Sequence, residues 1–176
     1  MATKKAPKIS QKRELLDAFR REHAKTLKVL RAIPPDQAEI RPHPKLKTAR
    51  ELAHVFIIEQ AMLSRALKGE PIFGTGSGPA PAELSTVISQ LENGCAELEA
   101  LINQIDEDSL EETTQFPVGP KPGGGGFEMG DWTRRAFAWF ILSDHIHHRG
   151  QMTVYLRMAG GKVPAIYGPS GDETWR

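Results

Sequence analysis

The 176-residue chain sets Lys+Arg 23 against Asp+Glu 22, a net charge of +1, and is 39% hydrophobic and 26% charged. That is the composition of one ordinary globular domain spanning 1–176, and its charge balance gives no reason to expect a nucleic-acid surface. A single cysteine, Cys95, excludes an intrachain disulfide and an all-thiolate metal site.

No apolar run is long enough to span a bilayer, and the N-terminus lacks the apolar core of a signal peptide. The expected location is the cytoplasm, with no membrane partner. The basic run from Met1 to Arg13 reads as a solvated terminus, flexible over 1–9.

Four helices are predicted. The first runs from Ser10 to about Ala32, with Leu15, Leu16, Phe19, His23, Leu27, Val29 and Leu30 at helical spacing, and Pro34-Pro35 ends it. The second opens at Thr48 with a capping box to Glu51. Leu52, Val55, Phe56, Glu59, Met62, Leu63 and Leu67 carry its inner face, and Gly69 stops it. Phe73 to Pro79 is a loop.

A third helix fits Ala82 to about Ile105, with Cys95 an inert buried thiol among Leu91, Leu98 and Leu101. Phe116 to Gly126 is rich in glycine and proline and reads as a long crossover loop, with no lysine or hydroxyl placed for a phosphate loop. The fourth helix starts at Asp131 or Thr133 and closes at Gly160-Gly161. Lys162 to Arg176 reads as an irregular tail packed back on the helices. The expected fold is all-α, a four-helix bundle with a crossover loop before the last helix.

The chemistry concentrates in Asp144-His145-Ile146-His147-His148-Arg149-Gly150-Gln151. On a helix, Asp144 and His148 stack one turn apart, and carboxylate with imidazole grips a divalent cation. Phe137, Phe140, Ile141, Asp144, His148, Gln151, Met152 and Tyr155 read as one stripe. Asp144 in its middle demands a cation or an arginine as partner. His54 on the second helix lies in an apolar neighbourhood. Opposite the Asp144/His148 pair it completes three ligands with open positions. Two nitrogens and one carboxylate suit Zn, Ni, Fe or Mn. His145 is the alternative to Asp144 as third ligand, and Glu59 is read as forming an ordinary salt bridge or hydrogen bond.

Ala49-Arg50-Glu51-Leu52-Ala53-His54 with Glu59, His147 to Arg157 and the tail Val163 to Glu173 together resemble the DinB-like superfamily, also called YfiT-like. The resemblance implies a four-helix bundle with a metal held by one histidine of the second helix and a His-x-x-x-His pair of the fourth. Carried over, His54 and His148 are ligands, and Asp144 stands where that pattern has histidine. It further implies a small-molecule substrate, a homodimer and, in members with assigned activity, small-thiol-dependent S-transfer using a low-molecular-weight thiol such as bacillithiol or mycothiol. Gln151 would orient a ligand or bound water. Arg149 and Arg157 would bind carboxylates of a thiol cofactor or form surface salt bridges. The alternative is a non-catalytic bundle with a structural or vestigial metal site. Nucleic-acid binding, suggested only by the damage-inducible name, runs against the near-neutral charge.

Overall fold

A computed structural model describes residues 10–73 and 78–174. The terminus expected to be flexible, 1–9, lies outside them, as do positions 74–77 of the predicted loop. Among the described residues the chain forms α1 (Gln11–Arg31), α2 (Ala49–Lys68), α3 (Leu84–Gln104), β1 (Thr113–Pro120), β2 (Phe127–Thr133) and α4 (Arg134–Met158).

The helix ends follow from local chemistry. Ser10 caps α1 by accepting from the Arg13 amide. Thr48 and Glu51 form the reciprocal capping box of α2, and Gly69 ends it in the left-handed region at φ 74°. Thr133 caps α4 through the Ala136 amide, and Gly160 follows its end at φ 75°.

The segment expected as a crossover loop is instead largely a β-hairpin. β1 and β2 pair antiparallel from Thr113↔Thr133 to Pro120↔Phe127, with a register shift between Pro117 and Gly119. Prolines are tolerated because in a two-stranded ribbon both strands are edges, so each strand has a side that needs no donor. The turn uses Gly123, Gly124 and Gly125 at φ 86°, 85° and 83°, where a side chain would be strained. At its base the Arg134 amide donates to the Glu112 carbonyl at 2.8 Å, which sets the start of α4. Phe116 and Trp132 pack edge to face at 6.2 Å over Phe137 and Phe140.

Helices α1 and α2 each pack against both α3 and α4, the cyclic arrangement of a four-helix bundle. The buried apolar side chains fall into two clusters. One holds Leu15, Phe19, Leu63, Leu98, Phe137 and Ile141. The other holds Leu30, Leu52, Phe56, Leu91, Met152 and Leu156. Along α1, α2 and α4 the residues between these clusters are polar yet buried: Glu22, His23 and Thr26, then Glu59, then His145 and Arg149. A polar layer therefore crosses the middle of the bundle. Burying such groups is tolerable only if they satisfy one another.

Candidate metal centre

Three contacts show that α2 and α4 run antiparallel. The Tyr155 hydroxyl donates to the Lys47 carbonyl, Glu59 meets His148, and Arg134 Nη1 donates to the Leu67 carbonyl. This register brings Glu59 into the middle of α4. Glu59 is 3% exposed, and its carboxylate spans two imidazoles. Oε2 lies 3.1 Å from His145 Nδ1, and Oε1 lies 2.6 Å from His148 Nδ1. Asp144 Oδ1 stands 3.9 Å from the same His148 nitrogen. Glu59, Asp144 and His148 form a group whose donor atoms lie within 4.8 Å of one another, close enough to hold a metal ion.

The inner stripe of α4 is rotated from the one expected. Its buried residues are Phe137, Ile141, His145, Arg149, Met152 and Tyr155 among others. Asp144 and His148 sit at its edge, with side chains 39% and 20% exposed. Phe140 is exposed at 36%. Gln151 is exposed and shares a hydrogen bond with exposed His147, Nε2 to Nε2 at 2.8 Å. The rotation follows from α1, whose Glu22 and Thr26 offer partners to Arg149 and His145.

His145 is 1% exposed. Its Nε2 lies 2.8 Å from Thr26 Oγ1, so both ring nitrogens are engaged. Phe56 and His23 flank the ring at centroid distances of 4.6 Å and 4.7 Å. Arg149 is not on the surface, as a surface salt bridge would require. Only 2% of its side chain is exposed, and it donates to Glu22 Oε2 at 2.8 Å, the Glu22 carbonyl at 3.0 Å and the Tyr167 hydroxyl at 2.5 Å. Arg157 is exposed and pairs with Asp172 at 2.6 Å.

His54 is buried on α2 and lies outside the Glu59–Asp144–His148 group. It makes no hydrogen bond to another described residue. Burial, helped by the Arg50 cation, lowers its pKa. It is thus held neutral with its lone pair unspent, the state a metal ligand requires. His148 is shifted the other way. The hydrogen bond to Glu59 raises its pKa against the opposing effect of burial, with Glu59 and Asp144 charges adding. Cys95 is buried, and burial pushes its thiol up to about 12, which leaves it no nucleophile at neutral pH.

A residue family model, the DinB family, matches residues 1–175. The chain belongs to the DinB family. It is 37% identical over 76 residues to the uncharacterized protein YrdA of Bacillus subtilis, a match covering 43% of this chain and 39% of that relative. A solved DinB-like protein from Bacillus cereus superposes with a TM-score of 0.68 at 22% identity, over 87% of this chain and 95% of that one. The colibactin self-resistance protein ClbS, solved in complex with double-stranded DNA, superposes with a TM-score of 0.55 at 18% identity, over 83% of this chain and 95% of that one. These two structural likenesses bear on the fold alone. No helix among the described residues is long and apolar enough to cross a membrane.

Of the polar layer, Glu22 and Thr26 lie outside the sequence-based reading, and Glu59 enters it only as an ordinary salt bridge or hydrogen bond. Glu59 carried a signal, being an acid within the apolar face of its helix. Glu22 and Thr26 carried a weaker one, following Phe19 at spacings of three and seven.

His23 is the least compensated member of the layer. It is 3% exposed, and neither ring nitrogen has a hydrogen-bond partner among the described residues. Burial, with the neighbouring His145, pushes its pKa from 6.5 down to about 3, and the Phe19 carbonyl offsets this only in part. The unfolded chain therefore takes up a proton below pH 6.5 that the folded chain refuses. Stability from this group is complete above 6.5 and falls by about 1.4 kcal/mol per pH unit below it. His23→Leu is expected to shrink the loss between pH 7 and pH 5 by about 2 kcal/mol. Urea unfolding of both proteins at the two pH values measures it, and equal losses would refute it.

Proposed function

We propose that this DinB-family protein binds one divalent metal ion through His54, Asp144 and His148, and uses it to activate a small thiol for transfer to an electrophilic small molecule. The observation that carries the metal reading is Asp144 beside His148 at the edge of a buried polar layer, with Glu59 holding His148 from within. A contact of 2.6 Å between Glu59 Oε1 and His148 Nδ1 is a strong hydrogen bond with no room for a metal between the two atoms. Glu59 therefore serves as the carboxylate that orients His148 and fixes its Nδ1 proton, leaving Nε2 with the lone pair. Asp144 contributes the oxygen, and His54, neutral and without a hydrogen-bond partner among the described residues, contributes the second nitrogen. Two imidazoles and one carboxylate suit Zn, Ni, Fe or Mn.

A divalent cation at such a site lowers the pKa of a thiol bound to it. Three protein ligands leave positions for that thiol. Asp144 and His148 are part-exposed, so a small molecule can reach them from solvent. The thiol chemistry rests on the family resemblance. Nucleic-acid binding is the weaker reading, since a net charge of +1 supplies little phosphate attraction.

Elemental analysis of untagged protein tests the metal reading. About one metal per chain is expected, falling sharply in Asp144→Ala. Thiol consumption with a generic electrophile, measured with and without a chelator, then tests the chemistry. A wild type that stays metal-free after reconstitution with Zn, Ni or Mn would overturn the proposal. Stoichiometric metal with no chelator-sensitive turnover would favour a structural metal.

A further inference from the structure

The deepest imidazole of the cluster needs a proton inventory. Thr26 Oγ1 lies 3.1 Å from the Glu22 carbonyl and 2.8 Å from His145 Nε2, and its one hydroxyl proton serves one of them. Suppose it goes to the carbonyl. Neutral His145 would then have to carry its proton on Nε2 to donate to Thr26. Its bare Nδ1 would face the Glu59 carboxylate at 3.1 Å, two acceptors opposed in a buried site. Suppose instead that it goes to Nε2. His145 then carries its proton on Nδ1 and donates it to Glu59 Oε2. The Glu22 carbonyl is not orphaned, because Arg149 Nη1 donates to it at 3.0 Å. Of the two arrangements open to a neutral ring, only the second satisfies every group.

We propose that Thr26 and His145 form a buried, directional hydrogen-bond relay that fixes the Glu59 carboxylate, and through it the orientation of His148 toward the metal. His145 is thereby a positioning residue, not the alternative ligand. Both its nitrogens are used, and Phe56 and His23 wall its ring. The relay runs Thr26 hydroxyl to His145 to Glu59, and His148 donates to the opposite oxygen. A buried carboxylate that receives an N–H from each of two imidazoles cannot rotate without losing both bonds. This inference rests on the metal reading only for its last link, since the relay itself belongs to the metal-free chain.

Two measurements test it on the full chain. Nitrogen-15 NMR of the histidine rings in metal-free protein is expected to show His145 protonated on Nδ1 and bare on Nε2. Competition with a chromophoric zinc chelator is expected to show Thr26→Val weakening zinc binding about 10-fold, with Thr26→Ser restoring it. A purely structural role for Thr26 would lower the melting temperature and leave zinc affinity unchanged, and that outcome overturns the proposal. So does a His145 ring protonated on Nε2 in the wild type. Should wild type bind no zinc, the metal reading and the last link fall together. The NMR tautomer then decides the relay alone, Nδ1–H upholding it and Nε2–H overturning it.

Discussion

Arg149→Met is expected to destabilise the fold by about 3 kcal/mol at pH 7, the lower end of what breaking a buried ion pair costs. The Arg149 side chain is 2% exposed and that of Glu22 9%. Its removal strands the Glu22 carboxylate with Lys25 at 2.9 Å and the Tyr167 hydroxyl. The partial compensation by Lys25 is why the lower figure applies.

The pH dependence of this difference has a definite sign. Burial pushes the Glu22 pKa up, but hydrogen bonds from Tyr167, Lys25 and Arg149 outweigh it and hold the pKa below 4.5. A depressed carboxylate contributes stability above its unfolded value and loses it as pH falls through the folded one. The variant lacks much of that contribution, so the gap between it and wild type narrows at pH 4. Arg149 also helps hold the His23 pKa down, so its removal eases the acid penalty of His23 and narrows the gap further. Urea unfolding at pH 7 and pH 4 checks both claims. A loss under 1 kcal/mol at pH 7 would show that Arg149 contributes little beyond packing.

The same ion pair explains where the sequence could be read and where it could not. Helix ends depend on a few neighbouring residues, so Ser10, the Thr48–Glu51 box and Gly69 announce them directly. The facing of α4 depends on distant partners. Asp144 with His148, and His145 with Arg149, are both polar pairs four apart, and their order along the chain does not say which turns inward. Glu22 and Thr26 decide it, more than a hundred residues earlier. The hairpin was hidden for a different reason. Its glycines and prolines lower strand propensity, and the ribbon is held by cross-strand pairing and by Phe116 and Trp132 packed on the helix start. Glu59 sat in plain view on an apolar face, and its two partners become apparent only once α2 and α4 run antiparallel.

His148→Ala should reduce zinc affinity by roughly 100-fold or more, since it removes a ligand and not merely a residue that orients one. The fold should survive. His148 is part-exposed, and Glu59 keeps its hydrogen bond from His145, so solvent can replace the lost donor at a cost of about 1 kcal/mol. Circular dichroism unchanged alongside lost zinc would separate a ligand from a residue that supports the bundle. Retained stoichiometric zinc would remove His148 from the site and undo the metal assignment. In the wild type, zinc and proton compete for His148. Its hydrogen bond to Glu59 raises its pKa above 6.5, so a proton begins to displace metal at a higher pH than for an isolated imidazole. Zinc affinity should therefore weaken on acidification from neutral pH. Glu59→Gln should move that onset downward, because a neutral amide removes the charge that favours the imidazolium. Zinc titrations of both proteins across pH measure the onset. An onset unmoved by Glu59→Gln would mean that Glu59 does not act on the metal through His148.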